Sequence, residues 1–280
     1  MSTEAQSNSG DTATDDTPRS TADEPTNSEA PTLNAVISVG HMQRFLDAIR
    51  SLDDEFHLTV TPDGVTARVL GPGNAMKGTV RLTTNAFDSF DATSGVTGVP
   101  ATRLREVTRM NSNSDLLRLD LDGAARTLEV QAGALDCSLQ LIDPGMIRQG
   151  GSLDDTEYPS VAAMEGGDLK RIVRGAGYVD SKIELRIEQP DEQFVVEADD
   201  GDDRLIAPRD SDDLMELLPG EQSVRATFDL EYLKWARHAI RKRTEVTLAL
   251  DTDEPLALAF DIADGAGHVE YDIAPVVEAE

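Results

Sequence analysis

Apolar positions begin abruptly at Leu33. Residues 1–31 hold no Val, Ile, Leu, Phe, Tyr, Trp or Cys. A stretch of Ser, Thr, Asp, Glu, Asn, Gly and Pro cannot bury enough surface to offset the entropy of ordering it. The sequence therefore predicts a disordered acidic tail over 1–32. Two periods then alternate along the chain. Met42, Phe45, Leu46, Ile49 and Leu52 recur at three- and four-residue intervals, the spacing of one helical face. Phe56, Leu58 and Val60 recur at every second residue, the spacing of one face of a strand.

The same order returns 127 residues later, with Leu169, Ile172, Val173 and Ala176 on a helix and Ile183, Leu185 and Ile187 on a strand. A helix from Leu104 leads to the strand Leu117, Leu119 and Leu121, and a shift of 129 takes these to Leu233 and to Val246, Leu248 and Leu250. Each half closes on a strand that ends in proline, Leu141–Pro144 and Asp272–Pro275. Three matches in one order imply an internal duplication. The expected class is α+β, with two similar domains of duplicated βαβββ units over 33–142 and 160–280. The aperiodic stretch 143–159, with its Gly, Pro and acidic residues, is the expected connector.

Charge changes this picture. The chain carries 53 Asp and Glu against 25 Lys and Arg, a formal net charge of −28, and only five of the basic residues are Lys. Such a composition suits multimolar salt, where the Debye length shrinks to ~3 Å at 1 M and an acidic surface repels itself little. It also argues against a nucleic-acid partner, because affinity for DNA comes largely from neutralising phosphates. The distribution reverses that argument. The four predicted helices, 41–52, 101–112, 167–178 and 229–243, hold 13 of the basic residues and only 5 of the acidic ones.

The basic residues also share faces. Lys234, Arg237, His238 and Arg241 stand opposite Leu230, Leu233, Ala236 and Ile240. Lys170, Arg171 and Arg174 stand opposite Leu169, Ile172 and Val173. Arg105 and Arg109 are one turn apart, with Arg103 nearby, and the first helix offers Arg44 and Arg50. A single charged helix face is usually just solvated. Four basic faces in so acidic a chain call for a shared polyanion, and duplex DNA is the simplest. These eleven Lys and Arg residues are the candidate DNA contacts.

Other chemistry is sparse. One cysteine, Cys137, excludes an internal disulfide and fits a reducing cytosol. No run approaches the ~18 apolar residues of a membrane span, and the N-terminus lacks the pattern of a signal peptide. A cytoplasmic, nucleoid-associated protein is expected. Gly71–Asn74 lacks the third glycine and following helix of a nucleotide loop, and Asp199–Asp203 lacks the closing Glu of a calcium loop. The four histidines show no metal-ligand spacing. No nucleophile and base stand at catalytic spacing, so neither enzyme activity nor a cofactor is expected. Trp235 lies off the apolar stripe of its helix, where packing at the helix edge is the simpler role.

Four longer segments carry a resemblance: LIDPGMIRQ (Leu141–Gln149), YVDSKIELRIE (Tyr178–Glu188), FDLEYLKWARHAI (Phe228–Ile240) and FDIADGAGHVEYDIAP (Phe260–Pro275). In these the chain resembles the sliding clamps of the proliferating cell nuclear antigen type in their archaeal form, over Leu33–Val277. The resemblance implies the DNA clamp fold and a homotrimeric ring, with strands outside and helices lining a hole that duplex DNA threads without sequence readout. It implies ring closure by pairing Leu135–Ile142 of one subunit with Gln193–Ala198 of the next. It implies a processivity factor that holds DNA polymerase, clamp loader, nuclease or ligase through short peptides. By position the docking pocket involves Leu70, Ala75, Lys77, Ile147, Leu153, Pro255, Asp272, Ala274, Pro275 and Val276. Lys77 and Asp272 stand where relatives usually place large apolar side chains, and burying an unpaired charge costs several kcal/mol. A divergent clamp-like scaffold, or a checkpoint-type subunit in a mixed ring, is the alternative.

Overall fold

The computed structural model describes residues 30–148 and 158–276. Nearly all of the expected tail, the middle of the connector and the docking candidate Leu153 lie outside the described residues. The first half runs β1 (Thr32–Ser38), α1 (Val39–Arg50), β2 (Glu55–Thr61), β3 (Gly64–Leu70), β4 (Met76–Thr83), β5 (Phe87–Thr93), β6 (Gly95–Pro100), α2 (Ala101–Arg109), β7 (Leu116–Asp122), β8 (Thr127–Ala132) and β9 (Leu135–Gln140). The second half repeats that order: β10 (Ser160–Glu165), α3 (Gly166–Ala176), β11 (Lys182–Glu188), β12 (Gln193–Asp199), β13 (Arg204–Arg209), β14 (Glu216–Leu218), β15 (Val224–Asp229), α4 (Leu230–Ala239), β16 (Glu245–Leu250), β17 (Leu256–Ile262) and β18 (Gly267–Ile273). Each half thus holds two βαβββ units with one further strand, β5 or β14, between them.

Local chemistry sets these elements. β1 alternates buried Leu33, Ala35 and Ile37 with more exposed residues. Ser38 then caps α1, its Oγ accepting from the His41 N–H at 3.2 Å. The stripe Met42, Phe45, Leu46 and Ile49 is buried as the spacing requires. Asp229 caps α4 in the same way through the Glu231 N–H at 2.8 Å. α4 is shorter than its basic pattern suggests. It stops at Ala239, because Ile240 is extended at ψ 137. The segment after it turns back to receive the start of α3: the Gly166 N–H donates to the Thr244 carbonyl and the Gly167 N–H to the Lys242 carbonyl, each at 2.8 Å. The Val39 and Gly40 N–H groups make the equivalent bonds to Asp115 and Asn113 in the first half. Arg241 therefore sits on a turn and not on the helix.

The strands form three sheets, ordered β5-β1-β7-β8-β9, β14-β10-β16-β17-β18-β4-β3-β2-β6 and β13-β12-β11-β15. The duplication explains the unequal sizes. The set β5-β1-β7-β8-β9 of the first half corresponds to β14-β10-β16-β17-β18 of the second, and β4-β3-β2-β6 corresponds to β13-β12-β11-β15. The nine-stranded sheet is one set from each half, joined where β18 pairs antiparallel with β4, Val269 opposite Val80 and Tyr271 opposite Gly78. Tyr271 locks this joint. It is fully buried, and its hydroxyl donates to the Ala48 carbonyl on α1 at 2.7 Å. The counterparts of β18 and β4 are β9 and β13, and among the described residues these end their sheets with no strand beyond them.

That topology corrects one expectation. Leu135–Gln140 does form an edge strand, but Gln193–Ala198 does not. It belongs to β12, which is paired on both sides, by β11 and by β13. The edge beyond it is β13, Arg204–Arg209. Alternating Phe194, Val196 and Ala198 read as a strand in either position, and only the non-local pairing decides which strand is outermost.

Candidate nucleic-acid interface and docking face

The four helices make one row. α1 packs against both α2 and α4, and α4 packs against α3. Buried stripes, such as Leu169, Ile172, Val173 and Ala176 on α3, turn toward the sheets. The side of the row away from them carries the basic candidates. Arg50, Arg103, Arg109, Arg171, Arg174 and Arg241 are exposed, while Arg44, Arg105, Lys170, Lys234 and Arg237 are half-buried.

Charge crowds along this row. Lys170 on α3 faces Arg237 of α4 and Lys242 of the following turn, so burial first and these two cations next hold its pKa below the usual lysine value. Arg44 on α1 is similarly lowered, by burial and then by Arg241, with Asp264 opposing. Its Nε is the one buried side-chain nitrogen or oxygen without a hydrogen-bond partner among the described residues. Unrelieved positive charge on an acidic molecule is a ready counterpart for phosphate. Lys242 belongs to this cluster although its helical position does not reveal it; the run Arg241–Arg243 was the available signal.

Some candidates already have partners. Arg105 binds Asp47 at 2.6 Å with its side chain only 16% exposed, which ties α2 to α1. Arg171 pairs with Asp168 at 2.9 Å and Arg50 with Asp54 at 3.6 Å, both exposed pairs that contribute little. Trp235 is half-buried and packs edge-on against Tyr232 with ring centroids 5.2 Å apart.

The docking candidates gather on the other face of the nine-stranded sheet. Lys77 stands opposite both Leu70 on β3 and Asp272 on β18, so the two departures from the family pattern are direct cross-strand neighbours. These three alternate with the core residues Val69, Met76, Tyr271 and Ile273. The tail of β18 crosses this end of the sheet, the Ala274 N–H donating to the Ala75 carbonyl at 2.8 Å and the Val276 N–H to the Thr227 carbonyl at 2.7 Å. Pro255 and Pro275 flank the paired residues Leu256 and Ile273. Ile147 lies apart from this group. It covers Gly98 on β6, where any added Cβ would come within 2.6 Å of the isoleucine Cδ1. The neighbouring Pro144 carbonyl sits 2.9 Å from His57 Nε2, and Arg148 pairs with Asp53 at 3.3 Å. The start of the connector is thus fastened along β2 and β6, and the C-terminal segment to Ala75 just before β4 and to Thr227 on β15. Tyr158, which the sequence pattern does not single out, is half-buried near Asp272, Glu270, Glu254 and Asp251. Burial and then these carboxylates push its hydroxyl up to about 12.

A duplicated α+β chain with a row of basic helices, whose β9 and β13 end their sheets among the described residues while their counterparts β18 and β4 pair with each other, has the architecture of a ring-clamp subunit. The C-terminal domain model of proliferating cell nuclear antigen matches residues 152–276. A DNA polymerase sliding clamp of Natronomonas pharaonis is 35% identical over 246 residues, covering 88% of this chain and 99% of its own. One of Haloarcula marismortui is 34% identical over 247 residues, with coverage of 88% and 99%. Among solved structures, a chain of the complex described as "C-terminal region of FEN-1 bound to A. fulgidus PCNA" gives a TM-score of 0.82 at 25% identity, covering 89% of this chain and 100% of that one. The proliferating cell nuclear antigen of Thermococcus kodakaraensis gives 0.78 at 21% identity, covering 87% and 100%, a likeness of fold. This chain belongs to the proliferating cell nuclear antigen family of DNA polymerase sliding clamps.

Proposed function

We propose that three copies of this chain close head to tail into a ring that encircles duplex DNA without sequence readout and tethers DNA polymerase, nuclease or ligase through short peptides. The observation that carries this reading is that β9 and β13 end their sheets where their counterparts pair with each other. β9 and β13 are the counterparts of β18 and β4, which already pair inside the chain. Repeating the internal joint between copies uses two different surfaces, a heterologous contact that runs on until the rotation closes. It also covers the β9 and β13 edges, which would otherwise invite aggregation. On this reading the protein acts as a tether and not as an enzyme, in the cytoplasm and on the nucleoid.

The helices then line the hole. Arg44, Arg50, Arg103, Arg109, Lys170, Arg171, Arg174, Lys234, Arg237 and Arg241 make sparse, shifting contacts to phosphates, which position without specifying sequence. Arg105 supports them by holding α2 on α1. In concentrated salt such contacts grip weakly, since log affinity falls by about 0.9 per neutralised phosphate for each unit of log salt. Closure keeps the ring on DNA where attraction alone would not. The surface around Lys77 and Asp272 takes the partner peptides, with a charged pair at its floor that favours partners bearing a polar anchor.

Transferring the internal register places Cys137 of one copy opposite Leu205 of the next, because Tyr271 is opposite Gly78. The Leu205→Cys variant should therefore oxidise into covalent dimers and trimers, with partners at Cα separations of about 4.4–6.8 Å. Parent protein and a Leu205→Cys, Cys137→Ser double variant should stay uncrosslinked. A Leu205→Cys protein that remains monomeric on denaturing gels after oxidation contradicts the β9–β13 ring.

A further inference from the structure

The internal joint and the joint between copies share one backbone plan, yet their side chains differ in size in a reciprocal way. Matching hydrogen bonds fix the correspondence. Leu52 and Asp53 donate to the Ile49 carbonyl after α1, and Val179 and Asp180 donate to the Ala176 carbonyl after α3. Ser51 therefore corresponds to Tyr178 and Ala48 to Gly175. Strand register likewise matches Gly78 with Leu205 and Tyr271 with Cys137.

At the internal joint the strand β18 brings the large group. The Tyr271 ring lies on Gly78, where an added Cβ would stand 3.1 Å from its Cδ1, and its hydroxyl reaches the Ala48 carbonyl and stands 3.4 Å from Ser51 Oγ. At the free edges the sizes are exchanged. β9 brings only Cys137. On the receiving side Leu205 replaces glycine and folds over α3, its Cδ1 within 2.9 Å of where a Cβ on Gly175 would be. Tyr178 replaces serine and stands 83% exposed, its ring uncovered by the described residues of its own subunit.

We propose that Tyr178 and Leu205 form the receiving half of the joint between copies, shaped for Cys137 of a second copy, and that this exchange of sizes determines which edges pair. The inference rests on the homotrimer reading above. The acceptable pairings each combine one large and one small strand residue: Tyr271 with Gly78, or Cys137 with Leu205. Mispairing β18 with β13 sets Tyr271 against Leu205 and Tyr178, which overfills the space. Mispairing β9 with β4 sets Cys137 against Gly78 and leaves a void. Both errors are costly in a close-packed interface, so each strand accepts one partner. Tyr178 contributes by covering the short Cys137 with an aromatic ring, the kind of anchor that dominates contacts between subunits.

Sedimentation of the full chain in high salt, across a range of concentrations, tests this. Tyr178→Ser should raise the concentration at which the trimer dissociates by about tenfold or more, as loss of an aromatic anchor does, while subunit melting stays unchanged because the ring is exposed there. Cys137→Tyr should abolish the trimer. Adding Leu205→Gly and Tyr178→Ser to that variant rebuilds the internal type of joint and should restore it. A trimeric parent whose Tyr178→Ser variant dissociates at the same concentration overturns this inference and leaves the ring standing. A folded triple variant no more trimeric than Cys137→Tyr alone also overturns it. A parent that is monomeric at every concentration overturns the homotrimer reading, and this inference with it.

Discussion

Glu197 shows how this acidic chain uses its few arginines. It receives Arg186 at 2.6 Å on one oxygen and Arg204 on the other, with its side chain only 13% exposed. Arg186 also binds Glu184 and Glu188. The Arg186 hydrogen bond is the main cause holding the Glu197 carboxyl below the usual carboxylate range, with Arg204 adding to it against the opposing cost of burial. A carboxyl with a depressed folded pKa contributes stability that is present above its unfolded value and is lost as pH falls through the folded one. Glu197→Gln should therefore cost about 2 kcal/mol near neutral pH, less than the ~3–5 kcal/mol of breaking a fully buried pair because Arg204 is half exposed and screened by solvent. The difference from the parent should shrink as pH falls below 4, and urea unfolding at several pH values measures it. A difference that holds constant down to pH 2 would assign the effect to packing. At this scale the sequence is least informative. Arg105 and Arg109 look alike in the pattern, yet one is clamped to Asp47 and the other is exposed. Tyr158 and Tyr178 give no periodic signal at all, because neither belongs to an apolar stripe.

Elements were far more legible. The stripes on α1 and α3 and the alternation on β2 and β11 are local periodicities, set by residues within two turns of one another, so the duplication could be read directly. Ends and edges could not. α4 stops at Ala239, and the segment after it turns back to offer the Thr244 and Lys242 carbonyls to Gly166 and Gly167, more than 70 residues earlier, while β13 is an edge because of a ladder that local pattern does not encode. Gly166 is the test of the first point. A Cβ there would overlap the Arg241 carbonyl oxygen and crowd the Ile240 side chain. Gly166→Ala should destabilise the fold by about 1–3 kcal/mol, the range for overpacking, and should displace Arg241 and Lys242 from the helical row. Weaker DNA retention together with a lower melting temperature is the expected result; a variant as stable as the parent would show that the turn is free to move.

At the scale of the whole molecule, positive charge is concentrated on the helical row. The chain's formal charge is −28, yet the helical row is basic, and burial first and neighbouring cations next lower the pKa values of Lys170 and Arg44. Reversing Lys170, Arg174, Lys234 and Arg237 to Glu should weaken loading onto nicked circular DNA by about tenfold or more at moderate salt, since each phosphate contact carries its own share of the affinity. The far-ultraviolet spectrum and the trimer should persist, because these side chains take no part in the core or in either joint. The deficit should narrow as salt rises and retention passes to ring closure. Loading equal to the parent at every salt concentration would remove the helices from the DNA-facing role. Charge segregation was visible in the sequence because it follows from helix positions alone. The docking face was less so: Lys77 and Asp272 lie 195 residues apart, and only the β4–β18 register makes them neighbours.

That register also bears on how such a chain could arise. One half alone carries both kinds of edge, a β9-type strand and a β4-type strand. A polypeptide of half this length would therefore possess a complete, self-complementary set of contacts for a ring with twice as many members. Fusing two such genes would convert every second contact into an intramolecular one at no cost in architecture. From then on the two kinds of contact would be free to diverge, as Tyr271 over Gly78 differs from Cys137 and Leu205 in the proposed joint between copies.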